Sequence, residues 1–200
     1  MTSRLPLLFP GILLVIFASA FFVPQHSGKA DASRQDTAYI TSTEVLQRED
    51  IPDSVFAMTQ LRVLSISGMD CDYVIIDKSG NPVKDCWMIR SIPPAIGQLK
   101  KLHTLRITLG SFSELPKEIA ELQQLRSVDF TDGVLTNVDG LAGLENLDEL
   151  YLYGCHLKTL PADLSHWKKL KHLGLTGNPY ISDAEKARVK AALPGCEIVF

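Results

Sequence analysis

Leu102-His103-Thr104-Leu105-Arg106-Ile107, Leu125-Arg126-Ser127-Val128-Asp129-Phe130, Leu147-Asp148-Glu149-Leu150-Tyr151-Leu152 and Leu170-Lys171-His172-Leu173-Gly174-Leu175 are one phrase written four times. Each copy is apolar at its first, fourth and sixth positions, and the steps between copies are 23, 22 and 23 residues. A spacing that regular is a repeat period rather than the uneven recurrence of an ordinary core. Within each phrase apolar and polar residues alternate, which sends every second side chain inward from a short strand. Leu61, Leu64 and Ile66 carry the same pattern upstream, making five phrases.

A second pattern fills the space between phrases. Ile51-Pro52 with Val55, Met58 and Leu61 has the spacing of Ile92-Pro93 with Ile96, Leu99 and Leu102. Leu115-Pro116 with Ile119 and Leu122, and Leu160-Pro161 with Leu164 and Trp167, repeat it. Apolar steps of four, three and three line one face of a short helical or 3₁₀ segment, with proline in the first turn, where no donor is needed. One unit deviates: it uses Val138, Leu141 and Leu144, lacks the proline and is one residue shorter.

Together the two halves, LxxLxL and LPxxIxxL, resemble leucine-rich repeats of the roughly 23-residue kind. The resemblance covers about residues 51–200 and extends to bacterial exported members in the closing stretch LPGCEIVF. It implies an α/β leucine-rich repeat solenoid of five repeats plus end caps. A parallel β-sheet lines the concave face, short helical or 3₁₀ segments line the convex face, and the family's use is mostly protein binding. The family's turn asparagine is present as Asn178, but Cys155, Gly133 and Gly110 stand at its equivalents. Backbone contacts or water must therefore serve the turns that lack it.

The chain of 200 residues is 46% apolar and 22% charged, an ordinary globular composition. Its net charge of −3, without a basic run, argues against nucleic acid as a partner. Residues 1–20 depart from this composition: Arg4 precedes an apolar run from Leu7 to Val23 that contains Ala18-Ser19-Ala20. That is the pattern of a signal peptide cleaved after Ala20, or, if uncleaved, of a single N-terminal membrane anchor. Both readings place the remainder outside the cytoplasm, secreted, periplasmic or anchored, and membrane contact is expected only through that anchor. Residues 21–37 read as a linker, and residues 38–60 as an N-terminal cap with a short helix near 41–47 and a half repeat.

Residues 61–178 hold the repeats. From Leu61 to Leu102 is 41 residues, 18 more than a repeat, so an insertion lies at about 69–89. Its apolar run 73–76, turn 77–82 and second run 83–87 form a hairpin pattern. With the turn centred on Lys78 and Ser79, paired residues sum to 157, which sets Cys71 opposite Cys86 and points to a disulfide; two free buried thiols are the alternative. Residues 179–200 read as a cap helix with Ser182 at its N-cap, stopped by Pro194-Gly195, and a closing strand in which Leu193, Cys196 and Ile198 continue the phrase. Cys196 then faces the core and Cys155 a turn, both as free thiols too far apart to bridge.

The outward strand positions form the candidate binding surface: Arg106, Asp129, Glu149, Tyr151, Tyr153 and His172. Aromatic and arginine side chains dominate interface energetics, whereas the bland reading is a solvated sheet face on which Arg106 pairs with Asp129. The five histidines lack ligand spacing, and Asp70, Asp72 and Asp77 do not make a calcium loop, so no metal and no cofactor are expected. An enzyme built on Asp129, Glu149 and His172 would lack a nucleophile. The expected function is non-enzymatic binding of a protein partner at the envelope or outside the cell, with a ligand- or carbohydrate-binding sensor as the alternative.

Overall fold

The computed structural model describes residues 37–40, 51, 53–67, 75–76, 82–83 and 89–200. In chain order its regular elements are β1 (Thr37–Ile40), α1 (Asp53–Phe56), β2 (Val63–Ser67), β3 (Ile75–Ile76), β4 (Pro82–Val83), β5 (Thr104–Thr108), β6 (Ser127–Asp129), β7 (Glu149–Tyr151), β8 (His172–Gly174), α2 (Asp183–Ala192) and β9 (Glu197–Val199). Short 3₁₀ segments at Pro94–Gln98, Lys117–Glu121, Asp139–Leu141 and Ser165–Trp167 lie between the strands. The strands β1-β2-β5-β6-β7-β8-β9 form one parallel sheet in that order, and β3 and β4 make a separate antiparallel pair. Each strand lies beside the one from the preceding unit, which is the repeat solenoid expected from the period.

The phrase spacing sets the register. Leu105 stands opposite Val128, Val128 opposite Leu150 and Leu150 opposite Leu173, so equivalent apolar residues stack in columns. Those residues, with the other inward positions of the five phrases, are buried in a single hydrophobic core. Across the entries to β5, β6, β7 and β8 one carbonyl accepts from two successive amides of the next unit. Arg62 O holds the N–H groups of His103 and Thr104, His103 O those of Arg126 and Ser127, Arg126 O those of Asp148 and Glu149, and Asp148 O those of Lys171 and His172. This column satisfies the backbone without help from any side chain.

The convex segments show why the apolar steps of four and three work. Ile96, Leu99, Ile119, Leu122, Val138, Leu141 and Leu144 are all buried. Pro93 and Pro116 sit one place earlier than expected, as extended N-caps rather than inside the first turn. In the unit without proline, Asn137 replaces it by accepting the Asp139 N–H at 2.7 Å, an Asx turn. Trp167, the bulkiest fully buried side chain, donates its indole N–H to Leu141 O at 3.0 Å.

The turns after the strands repeat too. Leu109, Asp132, Gly154 and Gly177, one in each unit, all adopt positive φ, between 56° and 80°. The following residue is the asparagine position. Asn178 is buried there, donating to Leu152 O and Leu175 O at 2.7 and 2.8 Å and accepting from the Leu157 N–H at 3.1 Å. Cys155 takes the same place in the unit before and donates its thiol to Phe130 O at 3.1 Å. At Gly110 and Gly133 a backbone bond, Val134 N–H to Gly110 O, substitutes, and Phe112 packs edge-on against Phe130 nearby.

At the C-terminal end α2 forms where the sequence places it, with the Ser182 hydroxyl accepting from the Glu185 N–H. Glu185 accepts from the Leu160 N–H, and Arg188 bonds both to Glu185 and to the carbonyls of Leu160, Pro161 and Ala162. The cap helix is thereby fastened to the preceding Leu-Pro turn.

Three expectations need correction. The closing strand pairs Leu173 with Ile198, not with Cys196, because the ten-residue helix makes this unit two residues longer than the one before it. Cys196 therefore lies before the strand, half-buried, and packs against the core together with Ile198 and Phe200 rather than holding a strand position of its own. In the hairpin, Ile75 pairs with Val83 and Ile76 with Pro82, pairs that sum to 158 rather than 157. The chain also opens its sheet earlier than expected, with β1 pairing along β2 where the linker and cap were expected to meet. Residues 1–20, the short helix near 41–47 and the Cys71–Cys86 pair lie outside the described residues.

Candidate binding face

Register alone assembles the face. Ser65, Arg106, Asp129, Tyr151, Gly174 and Val199 follow one another across the sheet, and Val63, Thr104, Ser127, Glu149, His172 and Glu197 form the row beside them. Five of the six candidate residues fall in these rows. Tyr153, just beyond the end of β7, completes the set on the same side.

The side chains divide into two groups. Arg106 Nε donates to Asp129 Oδ2 at 2.9 Å, and the Thr131 hydroxyl donates to the other carboxylate oxygen. Arg106 is 52% exposed and Asp129 only 16%, so the pair is a lid of charge over the sheet rather than a buried bridge. The bland expectation of cross-strand pairing is met here. Further along, Ser127 Oγ donates to Glu149 at 3.1 Å, and His172 Nδ1 lies 3.1 Å from Glu197.

Tyr151 and Tyr153 stack, with ring centroids 5.7 Å apart and planes 23° from parallel. The Tyr153 ring lies over Gly174, which is buried beneath it, and a Cβ there would collide with the ring. Burial raises the Tyr151 phenol above its ordinary value, and the charges of Glu149, Tyr153, Asp129 and Glu197 push the same way. On the flank, Asp148 bonds Lys171 at 3.0 Å and Arg126 at 3.5 Å, which holds its carboxyl below the ordinary value.

Sequence reasoning missed Glu197 and Val199, the end of both rows. Val199 is 47% exposed, unusual for a large apolar side chain among the described residues. The signal was present, but the two-residue slip of the closing strand hid it. Asp129, Glu149 and His172 are each bonded to a different neighbour, Arg106, Ser127 and Glu197, and do not converge on one another. Burial pushes the Cys155 thiol up to about 11, which leaves it protonated and unreactive. Among the described residues no group of three or more His, Cys, Asp or Glu side chains is placed to hold a metal ion, and no helix is long and apolar enough to cross a membrane.

A leucine-rich repeat protein of Leptospira interrogans aligns in structure with 76% of this chain at a TM-score of 0.62 and 29% sequence identity. The chain has the leucine-rich repeat fold. It spans 34% of the length of that Leptospira chain. An internalin C2 of Listeria monocytogenes shares the fold at 20% identity and a TM-score of 0.53, over 82% of this chain and 70% of its own. The leucine-rich repeat ectodomain of the Arabidopsis thaliana receptor kinase SOBIR1 does so at 21% identity and a TM-score of 0.50, over 75% of this chain and 69% of its own. A probable inactive serine/threonine-protein kinase, roco10 of Dictyostelium discoideum, is 32% identical over 96 residues, which are 45% of this chain but 4% of the Dictyostelium one. No protein-family profile matches the chain.

Proposed function

We propose that this leucine-rich repeat protein is a non-enzymatic interaction module, exported to the cell envelope or beyond, that binds a protein partner through the outward face of its sheet. The carrying observation is the stacked Tyr151–Tyr153 pair on that face, flanked by Arg106–Asp129 on one side and His172–Glu197 on the other. Paired aromatic rings outside the core have little structural purpose, and large rigid rings with charged neighbours are what binding surfaces concentrate. Export rests on the apolar run 7–23 behind Arg4 and on Ala18-Ser19-Ala20. The Cys71–Cys86 disulfide belongs to the same reading as a diagonal link across the hairpin, since the observed pairs sum to 158 and the two cysteines to 157, and it would show as a linked peptide in a non-reducing digest.

The test is capture of a partner from the native host, with the mature N-terminus determined on the same material. Tyr151→Ala and Arg106→Ala are expected to abolish capture while the thermal transition is retained. Capture that survives both substitutions would place the binding surface elsewhere. The second reading, a ligand- or carbohydrate-binding sensor, is favoured by the same stacked rings beside Glu149, an arrangement suited to a sugar face. A glycan array that stays blank removes it.

A further inference from the structure

The binding face is not electrically uniform. Toward the N-terminal side Arg106 is bonded to Asp129, so charge there is balanced. On β7, β8 and β9 the outward residues are Glu149, Tyr151, His172, Gly174, Glu197 and Val199, with no lysine or arginine among them. Glu149 meets the Ser127 hydroxyl and, among the described residues, no cation. Among the described residues Glu197 pairs with the imidazole of His172 and with no lysine or arginine. This half of the face therefore holds acidic charge that the protein itself leaves uncompensated.

The same half is apolar underfoot. Tyr153 covers Gly174, Tyr151 stacks on Tyr153, and the exposed Val199 continues the strip to the last strand. Stacked rings beside an unneutralised carboxylate are what a planar cation uses, since it can lie against the ring and fork onto the carboxylate at once. An ammonium would gain the charge but not the stacking. An acidic ligand would be repelled, and a neutral one would desolvate Glu149 without replacing what water gave it.

Building on the reading of this face as a binding surface, we infer that its C-terminal half receives an arginine-bearing segment of a protein partner. The guanidinium seats against Tyr151 and Tyr153 and pairs with Glu149, and an apolar neighbour of that arginine rests on Val199. Arg106 and Asp129 border this seat and set its limit on the other side.

The experiment is a random-peptide display selection against the full chain, followed by affinity measurements on the enriched peptides. Arginine is expected in the enriched set. Binding should weaken about tenfold with Glu149→Gln, fall with rising salt, weaken when the peptide arginine becomes lysine, and vanish with Tyr151→Ala. Peptides that are neutral or acidic, yet lost with Tyr151→Ala, would leave the face standing and overturn the arginine. Peptides indifferent to Tyr151→Ala, or no enrichment at all, would overturn both the face and its cation. The melting transition of each variant separates loss of binding from loss of fold.

Discussion

The ring of Tyr153 rests on the backbone of Gly174, one strand away, in space that any Cβ at position 174 would occupy. The contact is made by the far end of a tyrosine side chain, which can swing aside. Gly174→Ala is therefore expected to cost less than about 1 kcal/mol of stability, in line with substitutions outside the core. It should nevertheless dislodge Tyr153 and weaken whatever binds the stacked pair. Chemical denaturation and binding measured on the same preparation check this, and a large stability loss with intact binding would contradict it.

Leu109 holds a positive φ of 57° in the turn where two other units use Gly154 and Gly177. A left-handed conformation costs an ordinary L-residue on the order of 1 kcal/mol, a cost glycine does not bear. Leu109→Gly should thus stabilise the protein by up to about 1 kcal/mol, and Asp132→Gly by less, because aspartate tolerates this region better. Gly154→Ala should run the other way, since its Cβ would also meet the Asp132 carboxylate. Midpoints of urea unfolding at constant slope read all three.

Asn178 satisfies two carbonyls and one amide of two different units from a single buried side chain. Asn178→Ala leaves these groups without a partner and is expected to cost about 3 kcal/mol. Asn178→Asp keeps the acceptor for Leu157 but turns a carboxylate toward two carbonyls, so it should rescue little. Equilibrium unfolding measures both, and a cost below about 1 kcal/mol for alanine would mean that water enters the turn.

Glu185 gives the fold a defined acid limb. Hydrogen bonds from Arg188 lower its carboxyl below the ordinary 4.5; burial opposes this and the Leu160 N–H assists. Because the folded value lies below the unfolded one, the unfolded chain takes up the proton first. The stabilisation is whole above the unfolded value and is lost as pH falls through the folded one. Glu185→Gln should cost about 1 kcal/mol near neutral pH and flatten the stability profile below about pH 5. Identical acid limbs in the two proteins would remove Glu185 from this role.

How far these features could be read from the residues varies with their physical origin. The phrase at Leu102, Leu125, Leu147 and Leu170 revealed strands, register and core, because burial of one face demands apolar residues at a fixed period. Ser182 revealed the start of α2 because a side-chain cap is a local event. Cys196 misled because cysteine passes for an apolar residue, so two registers of the closing strand match the pattern, and only helix length distinguishes them. β1 was hidden because Thr37–Ile40 is too short to declare a period by itself. On the binding face, residue identities were legible but their pairing was not. Whether Tyr153 lies toward Gly174 or away is settled by rotamer and cross-strand contact, not by composition.

The column of carbonyls at the strand entries, from Arg62 through His103 and Arg126 to Asp148, joins each unit to the next through peptide groups alone. Such a joint is indifferent to which side chains flank it, as arginine, histidine and aspartate at successive steps already show. Length is therefore a free variable of this architecture. Duplicating residues 125–146 would add one strand and widen the sheet by about 4.8 Å, one strand spacing, with no new joint to invent.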